Sequence, residues 1–141
     1  MKVLIVSPCV NLPVPAVKGG AVSTLIEDIV RENEEQQKME LTVLSIYDAE
    51  AEIKSKNYSN AKFCFVKCPA LLNYMDDCFD RCDKTIRKTS NRHQYFRKWN
   101  TLRFISAYLR NNQFDKVVFQ NSGFLLDILR NKKIREEYKG K

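Results

Sequence analysis

The sequence has no run approaching the ~20 apolar residues that a membrane span requires. Its N-terminal apolar stretch, residues 3–6, follows a single lysine and stops at Pro8, too short for the core of a signal peptide. Both absences predict a protein that stays in the cytosol. Neither a GxxxxGK[ST] phosphate loop nor a GxGxxG fingerprint occurs, so ATPase and dinucleotide-binding readings lack their motif. No RNA-binding or helix-turn-helix signature is present, and nucleic acid is not an expected partner. Repeats and low-complexity segments are also missing. The sole histidine, His93, lies in a basic helical stretch rather than behind a strand, and reads as a surface residue.

What is present suits one α/β domain. With 141 residues, 44% hydrophobic and 11% aromatic, the chain can bury a core of ordinary size. Five cysteines (9, 64, 68, 78 and 82) read as reduced thiols in the cytosol. Cys64-x3-Cys68 and Cys78-x3-Cys82 mimic paired zinc ligands, but structural zinc pairs mostly sit in tight knuckles. Cys64 instead falls within Phe63-Cys64-Phe65-Val66, a strand pattern in which a thiol is a small hydrophobe. Cys78 and Cys82 are spaced one helical turn apart. No metal is expected.

Residues 2–7, Lys-Val-Leu-Ile-Val-Ser, have the length and β-branched content of a buried parallel strand. A loop with Pro13 and Pro15 leads to Lys18-Gly19-Gly20. Val22, Leu25, Ile26, Ile29 and Val30 then fall at i, i+3, i+4, i+7 and i+8, the apolar face of a helix. Further strands are predicted over 40–46, 61–67 and 114–119, with a polar loop or short exposed helix over 47–61. Residues 71–112 are helical in pattern with a break near Thr89-Ser90-Asn91. The second part of that stretch shows a broad apolar face that includes Phe96, Trp99, Leu102, Ile105 and Leu109. A last helix is predicted over 124–130, and 134–141 reads as a polar approach to another strand. This order predicts a Rossmann-like doubly wound parallel sheet with right-handed crossovers.

Three stretches carry a resemblance: Met-Lys-Val-Leu-Ile-Val-Ser-Pro at 1–8, Pro-Ala-Val-Lys-Gly-Gly-Ala-Val at 15–22, and Leu-Thr-Val-Leu-Ser at 41–45. Together they resemble the N-terminal domain of family-4 glycosyltransferases, most strongly over 1–47 and in register over 114–131. The resemblance implies the first half of a GT-B enzyme, in which two Rossmann-like domains face each other across a cleft. Residues 1–141 would then be part of the acceptor-side domain, without the donor-binding domain. The implied activity is transfer of a sugar from a nucleotide-sugar donor to a glycan or lipid-linked acceptor, as in cell-surface polysaccharide biosynthesis. No cofactor is implied. The family's fifth strand follows at about the point where this sequence stops, so an open sheet edge and self-association are further expectations. The family's donor-binding Glu-x7-Glu spacing recurs at Glu27 and Glu35, on the polar face of the first helix, where it reads as coincidence.

Gly19 and Gly20 lack the Cβ that would hold the backbone away from an oxygen-rich ligand. The helix behind them offers free N–H groups and a positive dipole end. By the resemblance they approach the diphosphate or the sugar, with Ala21 as the next amide; a plain strand-to-helix turn is the other reading. Lys18 could meet phosphate or an acidic acceptor, or stand as a solvated loop lysine. Gln120-Asn121-Ser122-Gly123 follows the fourth strand, where open α/β sheets place ligands. Family members often have His or an acid with Asn here. Gln120 cannot act as a general base, and no catalytic residue is assigned. Asn121 suits an acceptor-hydroxyl contact and equally a helix cap or turn.

Charge is concentrated in one segment. Between 81 and 110, nine cations (Arg81, Lys84, Arg87, Lys88, Arg92, Arg97, Lys98, Arg103 and Arg110) stand against Asp83 alone. That is a net +8 in a chain of net +7, which leaves −1 for the remainder. Interleaved with Tyr95, Phe96, Trp99, Phe104 and Tyr108, these cations suit an anionic bilayer. Arg97, Lys98, Trp99, Arg103 and Phe104 are the candidates to face it, which would hold the protein peripherally at the inner face of the cell membrane. A non-catalytic module docking to a membrane or a partner protein through 81–110 is therefore the alternative to the transferase. A solvated face on a core helix is the plainer reading of the same segment.

Overall fold

Strands β1 (Lys2–Val6), β2 (Glu40–Ile46), β3 (Ala61–Val66) and β4 (Lys116–Phe119) form one parallel sheet in the order β3-β2-β1-β4. The computed structural model describes residues 1–7, 12–86, 94–120, 127–128, 130 and 132–138. Helices α1 (Ala21–Gln36), α2 (Ala49–Ser55), α3 (Ala70–Ile86), α4 (Tyr95–Asn111) and α5 (Lys132–Glu137) connect and follow the strands. Strand side chains alternate between the two faces of a sheet, and here both faces are apolar because both are covered. Val3, Ile5, Leu41 and Val43 pack with Ile26 and Val30 of α1. Leu4, Val6, Leu44 and Val66 pack with Ile105 and Leu109 of α4 and Ile134 of α5.

β1, β2 and β3 step outward in one direction, and the chain then crosses back through α3 and α4 to place β4 on the far side of β1. A right-handed crossover that reverses direction must carry its helices on the opposite face of the sheet. The separate cores under α1 and α4 show that it does. The molecule is thus an α/β protein with a Rossmann-like doubly wound sheet. The reversal makes the carboxyl ends of β1 and β4 a topological switch point, where folds of this kind leave a crevice.

Three expectations are corrected by the packing. On α1 the buried positions are Ser23, Ile26, Glu27, Val30 and Asn33, while Leu25 is 52% exposed. The helix is rotated to bring Glu27 inward, because partners for that carboxylate converge there. On α4 the buried line is Thr101, Ile105 and Leu109, and Trp99 stands outside it. Residues 132–137, expected as a polar approach, form α5 and place Ile134 in the core, while Gly140 and Lys141, expected to introduce a strand, lie outside the described residues. The helix break near 89–91, most of the helix predicted over 124–130, Cys9, His93 and Asn121 lie outside the described residues.

Candidate functional site

Residues 12–20, between β1 and α1, lie at the carboxyl edge of the sheet and are fastened to it by several bonds. Val14 is fully buried, and its N–H donates to Ser45 Oγ at 2.8 Å. Ser23 Oγ donates to the Leu12 carbonyl at 3.2 Å, and the Ala16 carbonyl accepts from Lys54 Nζ at 3.0 Å. The segment ends in Gly19 (φ +74°) and Gly20 (φ +105°), conformations that L-residues with a Cβ rarely adopt. At Gly20 a Cβ would also stand 2.8 Å from Leu12 Cδ1, so the end of that side chain would have to shift. Around Gly19 a Cβ would meet nothing. Gly20→Ala should therefore cost about 2 kcal/mol and Gly19→Ala about 1 kcal/mol. Urea unfolding of the two variants checks this, and equal effects would show that conformation alone sets both.

Gly20 is the N-cap residue of α1. No side chain caps the helix, and its first turn contains no acid. The early N–H groups, starting at Ala21, thus keep their positive potential toward the switch point. Ser7, at the carboxyl end of β1, is buried, and its Oγ makes no hydrogen bond among the described residues. Gln120 closes the other side of the switch point, its N–H bonded to the Val6 carbonyl at 3.3 Å. Lys18 is not a free loop lysine. Its ammonium lies 2.5 Å from Asp48 Oδ2, and that carboxylate also caps α2 by accepting from Glu50 N and Ala51 N. The hydrogen bond raises the Lys18 pKa and lowers that of Asp48. The charge of Lys18 is thereby committed to the end of β2.

Glu27 is the residue that sequence reasoning misjudged. It is 5% exposed. Its Oε1 accepts from Lys54 Nζ at 2.6 Å and from Tyr58 OH at 2.7 Å, and its Oε2 accepts from Ala16 N at 2.9 Å. Burial alone would raise its pKa, but the bonds from Lys54, Tyr58 and Ala16 together hold the carboxyl below its ordinary value. Glu35 remains exposed on the same helix. The Glu-x7-Glu spacing thus joins a buried structural anion to a surface residue.

A second feature sits at the same edge, beyond β2 and β3. A cavity of about 520 Å³ is lined by Tyr47, Lys67, Cys68, Asn73, Arg97 and Thr101, with Ile46 and Val66 at its base. Lys67 Nζ lies 4.2 Å above the centre of the Tyr47 ring. Arg97 bonds Asp77 Oδ1 at 3.1 Å, while its buried Nε stays 3.7 Å from Asp76 Oδ2 and makes no hydrogen bond among the described residues. Burial raises the Cys68 pKa against the opposing pull of Arg97, so this thiol is a neutral wall group rather than a nucleophile. The volume suits a small ligand, and the groups present can bind and orient one. Among the described residues, no three metal-ligating side chains come together.

The residues expected to face a membrane divide between different surfaces. Trp99 and Arg103 lie side by side and outward, with the guanidinium 5.5 Å from the ring centre. Phe104 stacks on Tyr108 on another flank, and Lys98 is half-buried. Arg97 is mostly buried and paired with carboxylates, which removes it from any free basic face. No protein-family profile matches this chain, and neither a curated protein nor a solved structure is significantly similar to it.

Proposed function

We propose that this chain is the acceptor-side unit of a glycosyltransferase that uses a nucleotide-sugar donor. The observation that carries this reading is the pair Gly19 and Gly20, both at positive φ, opening the uncapped end of α1 at the carboxyl edge beside the switch point. Unshielded N–H groups there suit a diphosphate or a sugar hydroxyl. The likeness of 1–8, 15–22 and 41–45 to family-4 glycosyltransferases supports it further, as does the Rossmann-like sheet. The cavity beyond β2 and β3 offers an acceptor a ring to stack on at Tyr47 and a cation at Lys67. Its neutral thiol and its carboxylate-bound arginine give positioning without reaction chemistry. Turnover needs both walls of a cleft in place around the transferred sugar.

The chain should therefore bind a nucleotide sugar weakly and release no sugar above a blank. Amide spectra titrated with UDP-glucose and GDP-mannose test this. Shifts at Gly19, Gly20 and Ala21 in the millimolar range are expected, reduced in Gly19→Ala. A titration in which those amides stay still for both nucleotide sugars would sink the reading. Turnover by the chain alone would overturn the division of labour between two domains.

A further inference from the structure

The cavity beyond β2 and β3 gathers donors that the fold itself leaves unused. Strand side chains alternate between faces, so Ile46 follows Leu44, and Val66 follows Cys64, onto the face covered by α4. They give the cavity an apolar floor at the carboxyl ends of their strands. Helices α3 and α4 supply walls through Asn73, Arg97 and Thr101. Open α/β sheets place ligands at this edge, and about 520 Å³ is within the range of small-molecule sites.

Arg97 is the residue that asks for an occupant. Its Nη2 donates to Asp77 Oδ1 at 3.1 Å, but its Nε is buried and bonds nothing among the described residues. Asp76 Oδ2, 3.7 Å away, is out of hydrogen-bond reach of that Nε and already accepts from Arg97 N. Asp76 Oδ1 accepts from Phe96 N. A buried N–H without an acceptor is rare in folded proteins, and this one belongs to a cation. Lys67 is the second cation of the lining. Its ammonium meets the Tyr47 ring but no carboxylate among the described residues. Asp76 and Asp77 equal Arg97 and Lys67 in formal charge, so net charge does not choose the occupant. Placement does. Neither acid lines the cavity and both are engaged by α4, while the lining offers the guanidinium, the ammonium and the Asn73 amide.

We propose that this cavity binds a small organic anion. Its carboxylate or phosphate accepts from Arg97 Nε and Lys67 Nζ, charge-assisted bonds roughly twice as strong as neutral ones. Its body lies on Ile46 and Val66 beside the Tyr47 ring. The Cys68 thiol, kept protonated by burial, adds no repelling charge. The inference goes beyond the transferase reading, because it rests on this cavity and not on the glycines. If both hold, the acceptor of the transferase is acidic.

The test is a titration of the isotope-labelled chain with glucose 6-phosphate, glucuronate and glucose at constant ionic strength. The signals followed are the Arg97 Nε–H and the amides of Cys68 and Thr101. At least one of the two anions should move all three in the millimolar range, and glucose should move none. The anion that binds tells phosphate from carboxylate. Lys67→Gln should weaken binding about tenfold through the loss of one charge-assisted bond. Lys67 is exposed, so circular dichroism should show this variant folded. Arg97→Lys keeps a cation for Asp77 but removes the Nε–H, and should weaken binding by a similar factor. The amides of Gly19, Gly20 and Ala21 should stay still, so failure here and failure at the glycines are read from different signals. Signals at Arg97 Nε and Cys68 that ignore both anions would overturn the proposal. So would glucose binding as tightly as either anion, or binding undiminished in Lys67→Gln.

Discussion

Glu27→Ala is expected to destabilise the protein by about 3 kcal/mol, measurable by urea unfolding. Truncation leaves the Tyr58 hydroxyl and the Ala16 N–H without their acceptor, and strands the Lys54 ammonium beside them. Each orphaned buried group costs roughly 1–3 kcal/mol. Lys54 is 37% exposed and can turn to water, which keeps its share small. Glu27→Gln retains an acceptor for Tyr58 and Ala16 and should cost about half as much. The same cluster sets two pH edges. Because the folded carboxyl titrates below its ordinary 4.5, its contribution is complete above that pH and fades as pH falls through the folded value. Burial and the bond to Glu27 push the Tyr58 hydroxyl up to about 12 from 10.0, so stability also falls as pH rises between those two values. In Glu27→Gln the acid edge should flatten. An unchanged acid edge would assign it to other carboxylates.

Asp76→Ala should cost a similar amount, about 3 kcal/mol, by another route. α4 has no side-chain cap from Gln94, its own N-cap residue. Asp76 supplies one from a different helix, with one carboxylate oxygen for each of two backbone N–H groups. Removal frees the first turn of α4 and leaves Arg97 to Asp77, whose side chain is 57% exposed. Hydrogen exchange at Phe96 and Arg97 should accelerate in step with the loss of stability. Asp76→Asn, which keeps one acceptor, should recover part of both effects. Protection at those amides that survives Asp76→Ala would show that the cap is dispensable.

Strand positions and sheet class were legible because β1 and β2 are nearly continuous apolar runs, which only a sheet covered on both faces requires. The Gly19-Gly20 turn was legible for a comparable reason, since few other sequences adopt two successive positive φ values. Glu27 and Asp76 were not legible. Each is one of two adjacent acids in a helical pattern, where solvation is the usual outcome. What draws each one inward is a partner distant in sequence: Lys54 and Tyr58 for the first, the start of α4 for the second. Periodicity also finds an apolar stripe without saying whether the fold covers it. That is why α3 read as an ordinary helix although Leu71, Phe79 and Ile86 stay exposed, and why Arg97 read as part of a basic surface. The cavity was invisible for the same reason, as its walls come from two strand ends and two helices.

The latches along the segment before Gly19 have a consequence for how a ligand would be met. Leu12, Val14, Ala16 and Lys18 are each bonded to another part of the chain. The conformational freedom of this stretch is therefore surrendered when the protein folds, not when a ligand arrives. Recognition at the glycines becomes a rigid-body encounter, with no loop-closing step between collision and complex. Because Lys54 grips both the Ala16 carbonyl and Glu27, any force that shifts the stretch must also drag α2 and α1. The edge of the sheet behaves as one mechanical piece.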